Sequence, residues 1–126
     1  MMLRDLAAHT LEGQPVQLSD LRSRRNLVLI FAGTDAEEGR LISELQACGE
    51  AVRQEEAVAA VFAAADPDAR AWYGALAGDG TPRAALYVSD RYGEIYYAAH
   101  PERGQALPSA AEVLEWLRFI NAQCPE

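Results

Sequence analysis

Between Asn26 and Val52 the hydrophobic period of the chain changes from that of a buried strand to that of a helix. Leu27-Val28-Leu29-Ile30-Phe31-Ala32 is an unbroken apolar run, partly β-branched, closed by Gly33. A strand with water on one side alternates apolar and polar residues, so an unbroken run is expected of a strand covered on both faces, inside a helix-covered sheet. Beyond the break Gly33-Thr34-Asp35, the residues Leu41, Leu45, Cys48 and Val52 recur at steps of four, three and four, with Ile42 beside them. That spacing predicts one amphipathic helix. Thr34-Asp35-Ala36-Glu37 has the Ser/Thr-x-x-Glu order of a capping box and predicts a helix start at Thr34 or within a residue of it. Where a buried strand feeds a helix, free N–H groups and the positive end of the helix dipole point out of the sheet, a common place for chemistry in α/β proteins. No obvious nucleophile occupies it in this chain.

The remaining elements follow in order. His9 to Leu18 reads as two short extended pieces around a turn at Glu12-Gly13, a hairpin placed at a sheet edge because Pro15 has no N–H for a ladder. Ser19-Asp20-Leu21-Arg22 predicts an N-cap and one helical turn, and Arg22, Arg24 and Arg25 form a basic cluster read as a solvated turn in preference to an anion site. Ala57 to Ala63 is a second apolar run, expected to lie parallel to the first through a helical crossover. Asp66-Pro67 opens a helix through Trp72, Tyr73 and Leu76 that stops at Gly78. Ala84 to Ser89 and Glu94 to Ala99 flank Asp90-Arg91-Tyr92-Gly93 and predict an antiparallel hairpin. A last helix is opened by Ser109 with Glu112 three later, buries Val113, Trp116, Leu117 and Ile120, and ends at Cys124-Pro125. The expected architecture is one α/β domain over residues 1–126, a central mixed sheet with helices on both faces and an N-terminal β-hairpin.

Charge and composition restrict the function. A formal net charge of −8 argues against nucleic acid, whose phosphates need clustered cations. No segment approaches the roughly 20 apolar residues of a membrane span, and Met1 to Asp5 lacks the apolar core of a signal peptide, so no membrane partner and a cytoplasmic location are expected. His9 and His100 are isolated, and the sequence has no Cys/His cluster with metal spacing, no Gly-x-Ser-x-Gly and no Gly-rich phosphate loop. Asp35, Glu37 and Glu38 are weighed for a divalent cation, but acids in one helical turn fan outward, and a solvated helix start is preferred. Neither metal nor cofactor is expected.

Leu11-Glu12-Gly13, Val16-Gln17-Leu18-Ser19-Asp20-Leu21-Arg22, Asn26 to Phe31, Leu86-Tyr87-Val88-Ser89-Asp90 and Gly93-Glu94-Ile95 resemble, in order and spacing, the thioredoxin-like superfamily. More narrowly they are similar to its peroxiredoxin branch, the alkyl hydroperoxide reductase and thiol-specific antioxidant group. The resemblance implies a thioredoxin-like fold and a nucleophilic cysteine at the start of the helix after the first buried strand, where the dipole lowers a thiol pKa. Counted from Phe31, the Cys-x-x-Cys positions fall near Asp35 and Glu38 and the peroxidatic position near Arg40, and none is cysteine. Thr34, Asp35, Glu37, Glu38 and Arg40 thus form a degenerate active-site loop whose carboxylates repel a thiolate. The resemblance further implies that Thr81-Pro82 is the cis-proline facing that loop, with Arg83 beside it.

Two thiols remain. Cys48 lies on the apolar stripe of the central helix, far past its start, where a small core residue is the expected role. If the fold is thioredoxin-like, the central and last helices share a sheet face and run parallel, which brings Cys48 and Cys124 to the same end. A bridge between them would be worth roughly 4 kcal/mol in the entropic model, provided the Cα atoms come within about 7 Å. Two functions stay open: a redox-silent scaffold that binds a protein partner or a second copy of itself, and a thiol-dependent peroxidase or disulfide oxidoreductase using Cys48 or Cys124.

Overall fold

The computed structural model describes residues 7–21, 24–33, 38–62, 84–99 and 107–123. Its elements in chain order are β1 (Ala7–His9), β2 (Pro15–Gln17), α1 (Leu18–Leu21), β3 (Asn26–Phe31), α2 (Glu38–Ala47), α3 (Gly49–Gln54), β4 (Ala57–Phe62), β5 (Ala85–Ser89), β6 (Ile95–Ala99) and α4 (Ala110–Gln123). The strands form one sheet in the order β2-β1-β4-β3-β5-β6. β3 runs parallel to β4, with Val28 opposite Ala59, and antiparallel to β5, with Val28 opposite Val88. The two hairpins are antiparallel and lie at the two ends of the sheet. Pro15 is on the outermost strand, where a missing donor costs no ladder bond. The turns close through left-handed glycines, Gly13 at φ 85° and Gly93 at φ 89°, a region open to glycine without steric penalty.

The unbroken apolar run now has its cause. Val28 and Ile30 point to a core shared with Leu41 and Leu45 of α2, Val52 of α3 and Val113, Leu117 and Ile120 of α4. Leu27, Leu29 and Phe31 point the other way, into a core with Leu18 of α1, Phe62 and Tyr87. On that side Phe31 stacks on Phe62 at 4.7 Å and meets Tyr87 edge-on at 5.8 Å. Full burial of each such side chain is worth about 1.5–3 kcal/mol, so β3 anchors both layers at once. Helices lie on both faces, as the alternation of these two clusters requires.

The central helix departs from its expected form. Its apolar stripe is continuous, but the helix is not: α2 ends at Ala47, and Cys48, at φ −104° and ψ 22°, restarts the chain as α3. The Cys48 N–H is shared between the carbonyls of Glu44 and Leu45, both at 3.1 Å. Gly49, a weak helix former directly after it, makes this an inexpensive place to break. The capping pair Thr34/Glu37, the helix expected over 66–78, Pro82 and Cys124 lie outside the described residues. Among the described residues no helix is long and apolar enough to cross a membrane.

Candidate functional site

β3 carries the chain to the sheet end where α2 begins. The Ala32 N–H continues the ladder to the carbonyl of Phe62 at 3.0 Å. One residue on, the Gly33 N–H donates to Oε1 of Glu38, the first residue of α2, at 3.2 Å. A backbone donor at the strand-to-helix junction is therefore answered by the chain's own carboxylate. Glu38 also suits the positive end of the α2 dipole.

Arg40 does not face an empty site. Its guanidinium donates through Nη1 to Glu44 Oε2 at 3.0 Å and through Nη2 to the carbonyls of Leu107 and Pro108, both at 3.2 Å. Glu44 completes the connection, because its Oε1 accepts the N–H of Ala110, the first residue of α4, at 3.0 Å. That backbone donor, and after it the Arg40 guanidinium, hold the Glu44 carboxyl below its ordinary range. Next to it, Ser109 and Glu112 form the expected capping box: the Ser109 N–H meets Glu112 Oε1 at 3.0 Å and the Glu112 N–H meets Ser109 Oγ at 3.2 Å. The N-termini of α2 and α4 are stapled side by side, and the two helices run parallel on one face.

The opposite end of the sheet is also closed by polar groups. Asn26, at the start of β3, is only 1% exposed and donates through Nδ2 to the carbonyl of Glu55 at 3.1 Å and to Asn121 Oδ1 at 2.8 Å. Asn121 in turn donates to the carbonyl and Oε1 of Glu55, each at 3.0 Å. The Asn26 N–H reaches the carbonyl of Glu56 at 2.8 Å, and Glu56 holds a left-handed φ of 56°.

Of the residues singled out from sequence, Glu38 and Arg40 come together around the α2 start, while Thr34, Asp35, Glu37, Pro82, Arg83, His100 and Cys124 lie outside the described residues. Cys48 is a half-buried free thiol at the far end of α2. The ten residues of α2 separate it from the junction by about 15 Å of helix rise. Arg24 and Arg25 are exposed, as a solvated turn requires. No group of three or more His, Cys, Asp and Glu among the described residues stands together to hold a metal. Glu44 was not recognisable as a junction residue. The Arg40/Glu44 spacing was visible, but it reads as an ordinary exposed i,i+4 pair in its less favourable order. Its partners near residue 110 are invisible to local pattern.

No family model matches the sequence, and no curated protein matches it. Solved structures do match in shape. The reduced 2-Cys peroxiredoxin of Plasmodium vivax superposes with a TM-score of 0.74 at 13% identity, covering 95% of this chain and 93% of that one. AhpC of Enterococcus faecalis gives 0.73 at 15%, covering 99% and 97%. Peroxidoxin BcpB of Mycobacterium tuberculosis gives 0.72 at 17%, covering 95% and 96%. The fold is thioredoxin-like, in its peroxiredoxin form. At these identities the peroxiredoxin likeness is one of architecture, and chemistry must be argued from the side chains of this chain.

Proposed function

We propose that this chain is a redox-silent peroxiredoxin-like domain, a single unit over residues 1–126, whose scaffold binds a protein partner or a second copy in place of reducing peroxide. The reading is carried by the junction of β3 and α2. A peroxidatic cysteine needs a lowered pKa, supplied by free N–H groups, the helix dipole and nearby cations. In this chain the Gly33 N–H is taken by the Glu38 carboxylate. Arg40, at the position counted for the thiol, is committed to Glu44 and to two carbonyls. In sequence, Asp35 and Glu37 add two further acids between Gly33 and Glu38, where a thiolate or peroxide anion would need positive potential.

The test is peroxide consumption and disulfide reduction with a thiol-reducing system, on the wild type and on a Cys48→Ser/Cys124→Ser double variant. The expected result is the same background rate for both. Thiol-dependent turnover in the wild type that disappears in the double variant would establish the oxidoreductase reading instead.

A further inference from the structure

The outer side of α4 carries a group of aromatic rings that the junction does not use. Tyr97 of β6 stacks on Trp116 with centroids 5.0 Å apart and planes 20° apart. Phe119 meets Trp116 at 5.8 Å and 81°, so the two rings form adjacent walls at nearly a right angle. Phe119 is 48% exposed. Glu115, Trp116 and Phe119 are the described residues lining a surface concavity of about 310 Å³. Glu115 precedes Phe119 by four residues, so its carboxylate projects from the same helix face.

We propose that this concavity binds an arginine-bearing basic segment of a partner protein. The proposal rests on the binding-module reading above and names the partner's chemistry. An aromatic face attracts a cation through its quadrupole, and a carboxylate beside it adds charge attraction. A neutral apolar ligand would desolvate Glu115 without compensation, and an anion would be repelled by it. Guanidinium suits the site better than ammonium because its flat, weakly hydrated surface stacks on rings while its edge donates to a carboxylate. The charge balance also argues against a second copy here. A twofold pairing across this face would bring the exposed Glu112 and Glu115 toward their own copies, in a protein of net charge −8. The basic residue of α4, Arg118, already has its Nε 3.6 Å from Glu55 Oε2.

The experiment is an NMR titration of ¹⁵N-labelled full chain with a short peptide of alternating arginine and serine, read at the Trp116 indole N–H, which is assigned with Trp116→Phe. A glutamate–serine peptide is the control, and light scattering is recorded at the same protein concentrations. The arginine peptide is expected to shift the indole resonance saturably and the control peptide not at all. Phe119→Leu, a conservative change at an exposed site, weakens binding about two- to fivefold, and Glu115→Gln weakens it up to about fivefold. No saturable shift, an equal shift with the glutamate peptide, or unchanged affinity in both variants overturns the proposal. A dimer that Phe119→Leu dissociates overturns it in favour of a second copy. Peroxide turnover bears on the binding-module reading alone, so the two can fail separately.

Discussion

Asn26 begins β3, a strand buried along its whole length, with an amide whose Nδ2 donates to two distant partners. Glu55 and Asn121 are 29 and 95 residues away in sequence. A buried amide keeps its place only when its donors are answered, and removing one member leaves its partners unsatisfied. Asn26→Ala is expected to cost about 1–3 kcal/mol, measured by urea unfolding. Asn26→Asp, which turns a carboxylate toward the Glu55 carbonyl and Asn121 Oδ1, is expected to cost more. Equal stability of all three proteins would remove Asn26 as a tie between β3, α3 and α4. Nothing in the local sequence marked this role: Asn26 reads as a strand boundary, since its partners are set by the folded chain. Glu56 was hidden for a related reason, because a left-handed residue is signalled by Gly or Asn, and here the geometry is held by a glutamate.

Most elements were legible because each carries its own local signal. Gly13 and Gly93 announced the hairpins, the two unbroken runs announced β3 and β4, and Ser109/Glu112 announced α4. What failed was the joint at Cys48, where a continuous apolar stripe masked a change of helix, and the staple between α2 and α4, which joins residues near 40 to residues near 110. That staple makes two predictions. Glu44 has its carboxyl held low by the Ala110 N–H and by Arg40, so the ionised form is favoured in the folded state. Its contribution is present above the ordinary carboxylate range and is lost as pH falls through the lowered folded-state value. The stability difference between the wild type and Glu44→Gln, followed by thermal unfolding, is expected at neutral pH, should shrink as pH falls through the usual glutamate range and should vanish only below the lowered folded-state value. A difference that grows on acidification would contradict the assignment. Under the proposed reading, Arg40→Cys places a sulfur at the position counted for it, but removes the donors to Leu107 and Pro108. It is expected to cost about 1 kcal/mol, since the side chain is half exposed. It should gain no peroxide turnover, because it leaves the Glu44 carboxylate and the Leu107 and Pro108 carbonyls around the new thiol and, among the described residues, no cation paired with it. A peroxidase rate in this variant would mean that the surroundings of position 40 can support a peroxidatic thiol.

At the scale of the molecule, the two cores are two faces of the same three strands. Removing packing from one face of β3 must therefore loosen the other, whereas β1 and β2 touch the rest through short pairings, with His9 opposite Val61 as the register between β1 and β4. Stability should be distributed accordingly, with local opening of the edge hairpin and only global opening of the centre. In native-state hydrogen exchange, the amides of Val28, Leu29 and Ile30 are expected to exchange at the free energy of global unfolding, and those of the β1–β2 hairpin at a lower one. Leu29→Ala removes a fully buried side chain on the α1 side of the sheet and is expected to cost about 2–5 kcal/mol. The same loss of protection should appear at Leu86 and Val88, whose side chains pack on the α2–α4 side. If protection falls around Phe31, Phe62 and Tyr87 but is retained at Leu86 and Val88, the faces are separate units, and β3 does not couple the core beneath the junction helix to the core on its far side.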